Sequence, residues 1–566
     1  MTNTMKTSPI AHWRIAAALL ALGVPLGLNC AYADEPAAPA AQQGVEILTR
    51  GPVHEAFAET VTFDPQPGIK VAKAPPAAIE ELPPEQRLAG ANVAWVPGYW
   101  AWDDERSNFL WVSGIWRDLP PGRQWVPGYW GQSGSAYQWT SGYWANGQAA
   151  NVEYLPEPPA TAENGPNIAA PSPDNIWLPG SWMWNQDRYA WRPGFWAGAQ
   201  PNWDWVPSHY IWAPRGYVYV DGYWDYSIGR RGVLFAPVFF NGGMYTQPGF
   251  SYSPSTVINP AVFADNLFLR PQYQHYYFGD YYAANYQTEG FYPSYSYNSG
   301  RQGYDPIFAH ERWQHRQDAQ WEHRVVADFQ NRRAHVDARP ARTWTAQNAL
   351  GVGAAQPGEH GIVMAAPLST LLKTRESPLR FEPVDRLERQ KLVQHGQDVQ
   401  RFREERQKLE ARAATQSAGQ AANRFAPSSA KLPMSPIAAR PNAELGKDHI
   451  PPQLHVAPKP DLTVEAKPRP NRVPEQPQQR TVNKIPLDTK PAPANVPAKP
   501  ARVDRPAPQP QPQPQPKAER PAAPVHVDRP APQPQPKVDR PAPQPQPHPV
   551  PAGPSHDNPK EKGKDK

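Results

Sequence analysis

Between Trp95 and Trp224 the chain repeats one phrase of aromatic and polar positions: two aromatics five apart with a glycine between them. It reads WVPGYW from Trp95 to Trp100 and again from Trp125 to Trp130. WVSGIW runs from Trp111 to Trp116, WTSGYW from Trp139 to Trp144, WLPGSW from Trp177 to Trp182 and WRPGFW from Trp191 to Trp196. The first aromatics fall at Trp95, Trp111, Trp125 and Trp139, in steps of 16, 14 and 14, then at Trp177, Trp191, Trp205 and Tyr219, in steps of 14. Eight units in two groups of four make a repeat architecture.

A 14-residue unit has room for two strands of about five residues and two tight turns. In the first unit Pro97-Gly98 suits the centre of a β-turn, with proline fixing φ and glycine accepting a positive φ. Trp95 and Trp100 would then pair across that turn. The glycines at this position are Gly98, Gly114, Gly128, Gly142, Gly180, Gly194 and Gly222, with Ser208 as the exception. A second turn falls in polar strings such as Asn185-Gln186-Asp187-Arg188, around which Trp182 faces Trp191 and Trp184 faces Tyr189. The competing arrangement is one longer strand through each motif, bulged at the glycine, because an L-Pro-Gly turn twists against its flanking strands. The two-turn form is the preferred expectation.

The expected fold is mainly β: Trp-rich β-meander repeats in two groups of four, then one or two helices and a long disordered Pro-rich tail. Residues 34–87 read as an Ala/Pro-rich spacer, 88–144 and 177–224 as the repeat blocks, and 145–176 as a Pro-rich linker. Residues 225–304, rich in Tyr and Phe, read as short strands of the same body. Asp305-Pro306 opens an amphipathic helix over 305–338. A charged helix over 384–414 carries a thin seam (Leu392, Val399, Phe402, Leu409) that suits a coiled coil. From 415 to 566 VDRPAPQPQP recurs from Val503, Val527 and Val538, a composition expected to be disordered and polyproline-like.

The pattern aromatic-x-Trp-x-x-Gly-x-Trp resembles the bacterial YXWGXW (WXXGXW) repeat proteins. Tyr137-Gln138-Trp139-Thr140-Ser141-Gly142-Tyr143-Trp144 and the run from Tyr189 to Trp196 carry the likeness, which covers Trp95 to Trp224. Ser208 and Tyr219 depart from it. The resemblance implies an exported bacterial protein and brings no catalytic residues.

Composition sharpens this division: 18 of the 22 Trp lie between Trp95 and Trp224, while the 75 Pro mark the poorly packing parts. Lys6 and Arg14, an apolar run over 15–28 and Ala31-Tyr32-Ala33 fit a cleaved signal peptide of residues 1–33. Its removal takes Cys30, the only cysteine, and lowers the formal charge from +5 to +3. The expected mature chain therefore has no disulfide, too little charge bias for nucleic acid, and no transmembrane segment. Export to the periplasm, cell envelope or extracellular space follows.

No cofactor, metal or catalytic motif emerges. His310, His315 and His323 lack the spacing of a helical metal clamp. The motif Trp, Gly and Tyr219, Trp205 and Trp224 included, read as structural staples, since large aromatics are the main apolar area in a unit. Trp102, Trp184 and Trp203, outside the motif, are the candidate ligand contacts. Expected partners are a polysaccharide or peptidoglycan, and envelope proteins reached through the tail or charged helix. The leading function is non-enzymatic binding, adhesion or assembly. A carbohydrate-binding module comes second, and an enzyme with its site in 225–304 third.

Overall fold

The eight motifs build four antiparallel hairpins, two motifs to each. In the first, strands Val93–Val96 and Tyr99–Asp103 run out, and Asn108–Val112 and Ile115–Asp118 return. Trp100 opposes Trp111, and Trp95 opposes Trp116. The other three repeat the scheme over 123–146, 175–198 and 203–226, with Trp125 opposite Trp144, Trp177 opposite Trp196 and Trp205 opposite Trp224. This computed structural model describes residues 44–350, 361–373, 379–418, 427–441 and 449–455. The expected signal peptide and most of the Pro-rich tail lie outside the described residues.

The pairing corrects the two-turn expectation. Val96 opposes Ile115 and Tyr99 opposes Val112, so one register runs through the interruption, with Pro97 level with Gly114. Pro97-Gly98 is a break in a strand, not a turn, and Trp95 does not pair with Trp100. Polar tips such as Asp104 to Ser107 make the real turns, consistent with the poor twist of an L-Pro-Gly hairpin. The expected pairs Trp182–Trp191 and Trp184–Tyr189 do form.

Nor does the motif glycine supply a left-handed φ; none of the seven has one. Its hydrogen is needed because an indole from the partner motif lies across it. A Cβ on Gly114 would stand 2.5 Å from Trp95 Cζ2, on Gly142 2.5 Å from Trp125 Cζ2, and on Gly194 2.5 Å from Trp177 Cζ2. A methyl at that distance forces the indole or the backbone to move.

The segments flanking the repeats are structural. Residues 34–87, expected as a spacer, instead send Val53, Ala56, Phe57 and Val61 into the main core, where all are buried. The expected linker 145–176 contains the strand Asn151–Tyr154, paired with Ser428–Lys431 of the expected tail. Within 225–304, Leu267–Arg270 and His275–Phe278 join Gly51–Pro52 and Tyr292–Pro293 in a four-stranded sheet. These additions bury polar backbone and aromatic edges that the hairpins cannot cover alone.

The helices also differ from expectation. Asp305 caps the helix Pro306–Gln314, accepting from the Ile307 and Phe308 N–H groups. The single helix expected over 305–338 is two, because Asp318 accepts from Gln320 N–H and restarts the chain at Trp321–Ala334. The long helix Arg386–Ala418 packs Val399 and Phe402 into the main core, with Leu409 partly buried against it. Its seam is thus covered by its own chain, which removes the basis for a coiled coil.

Candidate binding face

Each interrupted hairpin leaves backbone N–H groups of its break without cross-strand partners, and in three hairpins a glutamate from elsewhere accepts them. Glu81 accepts from Gly98 N (2.8 Å), Gly114 N (2.9 Å) and Trp111 Nε1 (3.0 Å). Glu55 accepts from Gly142 N (3.0 Å) and Trp139 Nε1 (3.1 Å). Glu163 accepts from Gly180 N (2.5 Å) and Trp177 Nε1 (3.1 Å). Burial pushes the Glu55 carboxyl up to about 8 and that of Glu81 up to about 7, although the N–H donors pull the other way. The fourth hairpin differs, with Glu59 accepting from Tyr223 OH (2.9 Å) and lying 3.0 Å from His209 Nε2.

At the second hairpin the opposite pole of the break is also held. Arg406 of the long helix donates to Pro127 O and Ser141 O, both at 2.9 Å, and to Glu410 at 3.0 Å. Glu410 in turn accepts from Tyr129 OH and Tyr154 OH. A carboxyl group on one side and a guanidinium on the other thus satisfy donors and acceptors of a break in a buried sheet.

Two proline-rich segments then lie along aromatic rows like straps. On the first hairpin Trp100 Nε1 donates to Ala77 O (2.9 Å) and Trp116 Nε1 to Gln86 O (3.0 Å). On the third, Trp182 Nε1 donates to Ala160 O (3.0 Å) and Trp196 Nε1 to Ile168 O (3.1 Å). In both it is the second Trp of each motif that donates. Each strap reads Pro-Pro-Ala, at Pro75-Pro76-Ala77 and Pro158-Pro159-Ala160, followed by the glutamate that enters the break. This shared phrase was visible in the sequence but sits in segments classed there as spacer and linker.

The rows differ in exposure. Of the motif Trp in the first block, Trp95, Trp100, Trp111, Trp116, Trp125, Trp139 and Trp144 are buried and Trp130 is half-buried. On the third hairpin Trp177, Trp182, Trp191 and Trp196 are all half-buried, so the staple role expected of Trp191 is weaker than that of its first-block counterparts. Beside them Trp184 and Tyr189 pack edge to face at 4.8 Å, and Tyr189 reaches Tyr210 of the fourth hairpin at 5.9 Å. The result is an aromatic row with part of its rings open to solvent.

The three candidate contacts separate accordingly. Trp184 lies in that row. Trp102 is half-buried at the tip of the first hairpin and lines a shallow open cleft with Arg50, Arg270, Tyr277, Tyr281 and Phe291. Trp203 is a correction: it is 8% exposed and stacked on Tyr226 at 4.6 Å, because its strand faces the core. In 225–304 the buried His275 is held neutral by burial, its ring lowered to about 4, and Nε2 lies 2.8 Å from Tyr99 OH.

Among the described residues no group of three or more His, Cys, Asp or Glu is placed to hold a metal ion, and no helix is long and apolar enough to cross a membrane. Comparison with protein-family models, with curated proteins and with solved structures finds no match.

Proposed function

We propose that this chain is an exported, non-enzymatic protein of the cell envelope or extracellular space that acts in binding, adhesion or assembly. One observation carries the reading: on the third hairpin Trp177, Trp182, Trp184, Tyr189, Trp191 and Trp196 are all half-buried, whereas in the first block only Trp102 and Trp130 of the Trp are. Half-open indole and phenol rings offer flat apolar faces with a polar edge, which suits the stacking of an extended ligand. A polysaccharide or peptidoglycan strand is the ligand class, and the shallow cleft at Trp102 supplies a second aromatic contact with arginines beside it. Trp184→Ala in the full chain, titrated with soluble glycans and peptidoglycan fragments, tests this. Tryptophan fluorescence should respond in the parent and lose most of its response in the variant; a parent that responds to none of these polymers defeats the reading.

A further inference from the structure

The returning strand of every hairpin has an outer edge. Around the two-residue tips of the second, third and fourth hairpins the closing pair is hydrogen-bonded, and bonded and unbonded pairs alternate behind it. Tyr137 and Trp139, Tyr189 and Trp191, and Tyr217 and Tyr219 therefore turn N–H and C=O away from their own hairpins. Three of the four hairpins have this edge filled by another part of the chain. On the second, Tyr137 pairs with Val71 and Trp139 N donates to Ile69 O at 3.0 Å. On the fourth, Tyr217 and Leu155 exchange N–H···O bonds of 2.9 and 2.8 Å. On the first, Trp111 pairs with Val238. The third hairpin differs: its strand Arg188–Arg192 pairs only with Ser181–Asn185 among the described residues, which leaves the outward groups of Tyr189 and Trp191 without a third strand.

The segments that fill the other three edges share a chemistry. Each pairs through aliphatic residues with a proline close by: Pro237-Val238, Pro67-Gly68-Ile69-Lys70-Val71 and Leu155-Pro156. Proline has no N–H to offer a further strand, so such a segment closes an edge without creating a new one. The third hairpin adds a condition of charge. Arg188, Ala190 and Arg192 are exposed and alternate onto one face of their strand. On the second hairpin Lys70 opposes Gln138, the equivalent of Ala190. In the same register an occupant's middle residue opposes Ala190, with Arg188 and Arg192 diagonal to it, and an acid suits that position. We propose that the free edge at Tyr189 and Trp191 docks an extended segment of a partner protein, two aliphatic residues flanking an acid with a proline close by, added as an antiparallel strand. Backbone pairing holds this segment, not ring stacking, so the proposal and the glycan reading of the same hairpin can fail separately.

The probe is the peptide Asp-Pro-Gln-Pro-Gly-Ile-Glu-Val-Ala, residues 64–72 with Lys70→Glu, added to the full chain and followed by hydrogen exchange. In the free chain the Tyr189 and Trp191 amides should exchange at least about tenfold faster than the paired amide of Trp139. The peptide should slow Tyr189 and Trp191 and leave Trp139 and Tyr217 unchanged. N-methylation of Val71 in the peptide, whose N–H faces the edge, should weaken binding about fivefold or more, as for one net hydrogen bond, whereas N-methylation at position 70 should not. Restoring Lys70 should weaken binding about threefold at low salt. Tyr189 and Trp191 amides as slow in the free chain as that of Trp139 would overturn the proposal, as would no slowing by the peptide. So would protection that needs no peptide and rises with protein concentration, which would make the occupant a second copy of this chain. Equal binding of the two N-methylated peptides, or of the Glu and Lys forms, would overturn it too.

Discussion

A buried carboxyl that accepts two backbone N–H groups and an indole N–H is pulled toward its anion by the donors and toward its acid by the missing water. At Glu81 burial wins, lifting its pKa from 4.5 to about 7. The folded state therefore holds this proton more tightly than the unfolded chain, and its contribution to stability is full below pH 4.5 and declines as pH rises toward 7. Glu81→Gln abolishes that decline and adds a constant offset. Urea unfolding at pH 4.5 and pH 8 should show the variant gaining on the parent by about 3 kcal/mol across the interval, following the size of the shift. A difference independent of pH would mean that the carboxyl stays ionised in the folded protein. The buried histidines act in the other direction. His54 is lowered to about 3 and His275 to about 4, so both stabilise the fold above pH 6.5 and withdraw that support as pH falls to their folded values. Among the tryptophans, Trp125→Ala should cost about 3–5 kcal/mol, as for other large buried aromatics, because that ring is 2% exposed. Half-buried Trp191→Ala should cost roughly half as much, and thermal melts of the two variants rank them.

The hairpin, not the motif, is the element that packs, and its weak point is the break. At Gly142 a methyl would meet Trp125 Cζ2 at 2.5 Å and Gly128 N at 2.8 Å, so both side chain and backbone oppose it. Gly142→Ala should therefore lose about 3 kcal/mol or more by calorimetry, at the upper end of overpacking costs. The clamp on the same break is an ion pair with both partners almost wholly buried. Arg406→Met should cost about 3–5 kcal/mol by leaving Glu410 uncompensated, while Arg406→Met with Glu410→Met should recover much of it. A double-mutant cycle in urea measures that recovery. These elements also show where the sequence could be read. Trp182–Trp191 and Trp184–Tyr189 were legible because a short polar tip brings them together. Trp95–Trp116 was not, since the Pro-Gly pair imitates a turn and the true partner lies a full motif further on. Glu55, Glu81, Glu163 and the straps were invisible for another reason. A lone acid in an Ala/Pro stretch has no periodicity, and its role depends on a hairpin far away or not yet formed.

At the scale of the molecule, segments on both sides of the repeats complete the core, so the repeats do not form an independent body. Ile437, 1% exposed, accepts from Trp125 N–H through its carbonyl, and Ser428–Lys431 adds a strand beside Asn151–Tyr154. A fragment of residues 88–344 lacks Glu55, Glu81 and this returning strand. It should show no cooperative melt by circular dichroism, whereas a chain ending at 455 should melt as one unit. The unbroken register through each pair of motifs carries a further consequence, for how such a chain can grow. One motif supplies only half of a hairpin, with indoles that lack their glycine seats and a break that lacks its opposite strand. Copy number is therefore even by construction, and the repeating unit is two motifs, 30 residues from Trp95 to Trp125 and 28 from Trp177 to Trp205, although the commonest step is 14. An inserted copy of two motifs adds a hairpin with its own Trp pairs, whose break still needs an acid from another segment. An insertion of 14 would shift every later motif onto the wrong partner, so only a whole-hairpin insertion keeps the Trp pairs of this chain in register.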